Sequence, residues 1–202
     1  GTFLTDSWCQ FFKEHNFLIG VSLDGPEKMH NTYRVDKGNR GTFYQVMKAI
    51  ELLKKHQVEF NILSTVHATN ALHPLEVYRF LRDEVEAQYL QFIPIVERQN
   101  KSGYQEGFQV TKRSVTGKQY GDFLIAIFDE WIRRDVGRVY VQIFDSALSA
   151  WLGKHPGLCI FEPTCGLALA LEFNGDLYAC DHFVEPKFEL GNIHPTELKE
   201  LI

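Results

Sequence analysis

Cys159, Cys165 and Cys180 stand in the last quarter of the chain at Cys-x5-Cys-x14-Cys spacing. Thiols grouped this way in a reducing compartment more often bind metal than pair as disulfides. Thiolate ligands suit zinc or an iron–sulfur cluster, and a set of three is one short of the usual four. The competing reading is three inert thiols packed in a core. Asp181 follows Cys180 directly. A carboxylate beside a redox centre can act as a general base, although an Asp at a strand end is more often a turn or cap residue. His182 is either a further ligand or an ordinary surface or core side chain. Cys9 is isolated and reads as core.

A second constellation lies near the start. Val21-Ser22-Leu23-Asp24-Gly25-Pro26 ends an apolar strand, where parallel α/β folds place their ligands. Arg34 comes twelve residues after Ser22, within His30-Asn31-Thr32-Tyr33-Arg34. A guanidinium suits bidentate recognition of a carboxylate. The plain alternative is a capping serine and an arginine on a solvated loop.

Elements must hold these side chains in place. Trp8, Phe11 and Phe12 share a helical face after a Thr5-Asp6 cap, and residues 17–23 form a continuous apolar strand closed by Asp24-Gly25-Pro26. Thr42 is expected to cap a helix carrying Phe43, Val46, Met47, Ile50 and Leu53. Strands follow at 59–66 and 89–96, with a Pro74-initiated helix between them. After a polar stretch over 97–115, Tyr120 to Trp131 mark an amphipathic helix, and 138–144 reads as a fourth strand, with a short helix at 146–151. The alternation of helices and continuous apolar strands predicts a parallel sheet with crossover helices, either an open sheet or an arc of a barrel. Past residue 152 the period changes, and Asn174-Gly175-Asp176 predicts a β-hairpin between 167–173 and 177–180. We therefore expect two domains, 1–152 and 153–202.

Composition bounds the partners. A net charge of −5 with 45% hydrophobic residues argues against nucleic acid, whose phosphates need a basic surface. No apolar run reaches the roughly 18 residues of a membrane span, and the opening residues do not read as a signal peptide, so a cytoplasmic protein is expected. The start near a helix cap and the end inside a helical pattern read as a piece of a longer chain. An exposed early strand edge at 17–23 would then predict self-association of the piece alone.

The spaced motifs carry a specific resemblance. Ser22-Leu23-Asp24-Gly25-Pro26, His30-x3-Arg34, Gly41-Thr42-Phe43 and Leu90-Gln91-Phe92-Ile93-Pro94 closely resemble the second half of the radical S-adenosylmethionine domain of anaerobic sulfatase-maturating enzymes. Cys159-x5-Cys165-x14-Cys180-Asp181, continuing to Leu190-Gly191-Asn192-Ile193, is similar to the start of their SPASM auxiliary-cluster domain.

The resemblance implies an α/β fold, the later βα units of a partial (β/α)6 radical-SAM barrel followed by a SPASM-type hairpin. It implies that Ser22 and Arg34 contact S-adenosylmethionine, Arg34 through the methionyl carboxylate, and that Val96 packs on the adenine. Cys159, Cys165 and Cys180 would be three ligands of the first auxiliary [4Fe-4S] cluster, and Asp181 the base acting on the substrate. The ligands of the radical-generating cluster would lie before Gly1, and the remaining auxiliary ligands after Ile202. The implied reaction converts a sulfatase Cys or Ser to formylglycine, with electrons from a flavodoxin or ferredoxin. The rivals are a SPASM enzyme that modifies another peptide and a zinc-binding regulatory module.

Overall fold

The computed structural model describes residues 3–102, 106–164 and 168–202. The chain divides into two compact units, one of Gly1–Ile95 with Lys112–Leu148, the other of Val96–Thr111 with Ser149–Ile202.

The first unit begins with α1 (Asp6–Glu14), whose Thr5 cap accepts the Trp8 N–H at 3.4 Å. Then come β1 (Ile19–Ser22), α2 (Glu27–Asn31), α3 (Phe43–Lys55), β2 (Phe60–Val66), α4 (Pro74–Arg79), β3 (Tyr89–Pro94), α5 (Gly117–Arg134), β4 (Tyr140–Val141) and α6 (Gln142–Trp151), which runs into the second unit. The sheet has the order β1-β2-β3-β4, all parallel, with Ser22 opposite Leu63, Leu63 opposite Gln91 and Tyr89 opposite Tyr140. The expected parallel sheet with crossover helices is therefore present.

Alternation along the strands decides which face carries chemistry. Val21, Ile62, Val66, Leu90, Phe92 and Val141 are buried on one face. Ser22, Asn61, Leu63, Thr65, Gln91 and Tyr140 lie on the other, and none of them is buried. The helices cover the first face. Phe123, Ile127 and Trp131, four residues apart on α5, are buried, and a Thr116–Gln119 capping box starts that helix. After α4 the chain runs on as a π-helical turn, Phe80–Glu84. Arg79 and Arg82 both reach Glu130, and Arg82 also reaches the buried Asp135 at 2.9 Å. These ion pairs fasten the α4 segment to α5.

Two expectations need correction. The strand expected over 138–144 is only the two residues of β4, because Gln142 already begins α6. Phe144 packs as a helical residue against Phe128 and Trp131, and a short apolar run does not separate strand from buried helix by periodicity. Thr42 sits at the start of α3, but its side chain makes no cap hydrogen bond there; its hydroxyl donates instead to the Arg34 carbonyl at 3.0 Å.

In the second unit β5 (Ala170–Leu171), β6 (Asp176–Tyr178) and β7 (Glu189–Asn192) form an antiparallel sheet, followed by α7 (Leu198–Leu201). The Asn174-Gly175-Asp176 turn is found as expected, with Gly175 at φ 89° and the Asn174 side chain accepting the Asp176 N–H. The third strand is additional. It contains Leu190-Gly191-Asn192, and Gly191 adopts φ 136°, where a Cβ would lie 2.7 Å from Leu201 Cδ2. Only glycine meets both conditions there. Arg98 is bridged to Val110 by an isolated antiparallel pair.

Candidate functional site

In the first unit the site is built on the loop that leaves β1. Ser22, the last residue of that strand, is exposed on the sheet face that the helices leave uncovered. Leu23 and Asp24 turn inward, and Asp24 is only 2% exposed. The chain reverses at Gly25, where the φ of 120° and the 3.1 Å approach of Val77 Cγ2 to a would-be Cβ would strain any other side chain.

Arg34 is not a free cation. Its Nε donates to Asp24 Oδ2 at 2.5 Å, and Nη2 donates to Asp24 Oδ1 at 3.0 Å and to Thr65 Oγ1 at 3.1 Å. Asp24 Oδ1 also accepts the Thr65 N–H at 2.9 Å. The Asn70 amide nitrogen clasps the carbonyls of Asp24 and Thr65, each at 2.9 Å, while its oxygen accepts the His67 N–H. The β1 and β2 ends are thereby tied together around one buried carboxylate.

His30 supports the same loop from below. It is fully buried, its Nδ1 accepts the Asp24 N–H at 3.3 Å, and its Nε2 lies 3.1 Å from Thr42 Oγ1. Because Nδ1 is the acceptor, the proton belongs on Nε2, which donates to Thr42, which donates in turn to the Arg34 carbonyl. Burial holds the His30 imidazole neutral, with its pKa lowered to about 4, against the smaller opposing pull of Asp24. Burial likewise lowers the pKa of His67.

In the second unit Cys159 opens a 3-10 turn, Cys159–Phe161, and is exposed; Cys180 is half-buried, and both thiols are free. Cys165 lies outside the described residues. The Cys180 Sγ accepts the His182 backbone N–H at 3.4 Å and lies 3.5 Å from Asp181 Oδ1. His182 Nδ1 is 3.2 Å from that same oxygen. The Cys180, Asp181 and His182 ligand atoms all fall within 4.8 Å of one another. This is a donor set able to hold a metal through sulfur, with a carboxylate, 66% exposed in its side chain, open to a substrate. The backbone N–H on the sulfur suits a thiolate, since it stabilises negative charge there. Val96 also belongs to this unit and is 44% exposed.

The structure thus brings Ser22 and Arg34 to one loop system, and Cys180 and Asp181 to one turn. Sequence reasoning missed Asp24, Thr65 and Asn70 as parts of the first site. Asp24 stood inside the quoted motif and read as a turn residue, whereas nothing in the sequence marks Asn70.

No protein-family model matches the chain. Over its whole length it is 46% identical to a serine-type anaerobic sulfatase-maturating enzyme of Bacteroides thetaiotaomicron, of which it covers 51%. It is 34% identical, again over its whole length, to a cysteine-type enzyme of the same name from Clostridium novyi, covering 53%. Among solved structures, native anSMEcpe with bound AdoMet and Cp18Cys peptide matches all of this chain with a TM-score of 0.83 at 36% identity, over 55% of that protein. The chain spans about half the length of these relatives. The match carries the fold as well, a partial radical-SAM barrel followed by a SPASM-type hairpin. By sequence and by fold, these 202 residues belong to the family of anaerobic sulfatase-maturating enzymes.

Proposed function

We propose that the chain serves within a radical S-adenosylmethionine oxidoreductase of about the relatives' length, which converts an active-site Cys or Ser of a sulfatase to formylglycine. The observation that carries this reading is the identity over the entire chain with both serine-type and cysteine-type maturases. We take residues 1–152 as the barrel part and 153–202 as the start of the auxiliary-cluster domain.

The residues fit the groups they would hold. Ser22 offers an exposed hydroxyl at a strand end, and Arg34 keeps Nη1 without a partner among the described residues; both would contact S-adenosylmethionine, Arg34 through the methionyl carboxylate. Cys159, Cys165 and Cys180 would hold three irons of the first auxiliary [4Fe-4S] cluster, and free, accessible thiols at 159 and 180 suit that role. Bound S-adenosylmethionine, on taking one electron that originates from the donor, would supply the chemistry that removes a hydrogen atom from the substrate Cβ.

Asp181 would accept the thiol or hydroxyl proton and an auxiliary cluster would take the second electron, which gives the aldehyde directly from Ser and, from Cys, a thioaldehyde that water would hydrolyse with release of hydrogen sulfide. Once Cys180 is a thiolate ligand, its S–H no longer occupies Oδ1, so the carboxylate is free to take a substrate proton. A reducing, cytoplasmic setting and a flavodoxin- or ferredoxin-type donor suit such chemistry. Among the described residues no helix is long and apolar enough to cross a membrane.

The test is direct. The intact enzyme, prepared anaerobically with reductant and S-adenosylmethionine, should convert the Cys or Ser of a sulfatase-derived peptide to an aldehyde, detected by mass. An enzyme that cleaves S-adenosylmethionine but leaves every such peptide unchanged would point to a different peptide substrate. Zinc in place of iron and sulfide would point to a regulatory module.

A further inference from the structure

We infer that Asp24 is a positioning residue of the cofactor site: it grips the Arg34 guanidinium by its Nε–Nη2 edge and leaves Nη1 to meet the ligand carboxylate. The inference rests on the proposed role of Arg34 and adds how that side chain is held.

A guanidinium carries five N–H donors. Nε spends its one on Asp24 Oδ2, and Nη2 spends its two on Asp24 Oδ1 and Thr65 Oγ1. The two on Nη1 remain. A carboxylate ligand therefore meets a single nitrogen of fixed orientation and not the fork. The guanidinium is also neutralised in advance by Asp24, so its contribution is geometric more than electrostatic.

Asp24 is suited to be the fixed partner. Its side chain is 3% exposed, against 31% for Arg34. Its carboxylate is held by the Thr65 N–H and by Arg34 itself, while its backbone N–H is held by the His30 imidazole and its carbonyl by the Asn70 amide. An asparagine would satisfy the Thr65 N–H equally well. Only a carboxylate offers two acceptors to the Nε–Nη2 edge, since the amide of Asn would set a donor against a donor. A buried charge is costly to retain, and its retention here is explained by the arginine it orients.

The experiment is a double-mutant cycle on S-adenosylmethionine binding to the intact, cluster-loaded enzyme by equilibrium dialysis without reductant. Asp24→Asn should weaken binding about tenfold when Arg34 is present and have no effect in an Arg34→Gln background. Equal weakening in both backgrounds would overturn the inference, because Asp24 would then act on the site generally. Tighter binding in Asp24→Asn would also overturn it, by showing that Asp24 competes with the ligand for Arg34. An Arg34→Gln variant that binds like the wild type would instead remove Arg34 from the cofactor site, a failure of the proposed function distinct from the other two. If Asp24→Asn does not fold, Thr65→Val carries the same cycle, because it removes the third tether without unpairing a buried charge; severalfold weakening that vanishes with Arg34→Gln is expected, and weakening that persists refutes.

Discussion

Replacing His30 by Gln should flatten the acid dependence of stability. The imidazole is buried and neutral, with its pKa near 4 where an exposed histidine has 6.5. Above pH 6.5 it is neutral folded or unfolded and contributes nothing to pH dependence. As pH falls below 6.5 the unfolded chain takes up a proton that the folded chain refuses, so stability is lost progressively until about pH 4. The full gap is worth about 3 kcal/mol, and by pH 5 about 2 kcal/mol of it is spent. Gln can accept the Asp24 N–H and donate to Thr42 as His30 does, but it does not titrate. Urea unfolding of the intact protein at pH 7 and pH 5 measures the difference. With a slope of about 1–3 kcal/mol per molar urea, the midpoint of wild type should fall roughly 1 M further than that of His30→Gln between the two pH values. His67, also lowered by burial, contributes equally to both proteins, and Asp6, lowered to about 2 by its hydrogen bonds to Lys55 and His56, acts mainly below this window. Equal midpoint shifts in the two proteins would show that His30 is not held neutral, and the proton assignment through Thr42 to Arg34 would fall with it.

Other perturbations separate the roles further. Asp181→Asn in the intact enzyme should cut formylglycine formation by roughly a hundred- to ten-thousandfold while 5′-deoxyadenosine still accumulates; both products at wild-type rates would make Asp181 a turn residue. Cys180→Ala should lose one cluster's iron and sulfide, whereas Cys9→Ala should not, since Cys9 is buried in the core and its thiol is pushed up by that burial; elemental analysis decides. Gly25→Ala should cost about 1–3 kcal/mol, from the φ of 120° and the Val77 contact, and lower the melting temperature by several degrees. The 202-residue chain expressed by itself should self-associate, because β1 pairs only with β2 among the described residues; a clean monomer in light scattering at high concentration would contradict this.

How far the sequence could be read follows from the range of the forces involved. Continuous apolar strands and amphipathic helices are local patterns, so β1 to β3 and α5 were legible to within a few residues. The short β4 was not, because Phe144 docks on Phe128 and Trp131, more than ten residues earlier in the chain, and that contact favours the helix that begins at Gln142. β7 was missed since its partner, β6, is recognised only through long-range pairing such as Leu177 with Gly191. Within the candidate site Ser22 and Arg34 could be named from motif and residue type. That Arg34 is already paired could not, because Asp24 and Thr65 meet it only after β1 and β2 come into register.

This bears on what the motif itself encodes. Asp24 and His30 are buried, and with Thr42 they spend their polar groups on one another, on Arg34 and its backbone, and on Thr65 and Asn70. Gly25 makes the turn that lets Asp24 face inward. These residues stand in the stretch that makes the chain recognisable, yet none needs to touch a ligand. Their pattern specifies the position of one guanidinium and one strand end. Substitutions among them should therefore damage cofactor binding through the orientation of Arg34, and the loss should scale with the number of its three tethers removed. Ser22, by contrast, is exposed on the uncovered sheet face, and Ser22→Ala should weaken binding without any change in stability. Two residues of the same motif are thus expected to fail in different ways, one with and one without a loss of fold stability.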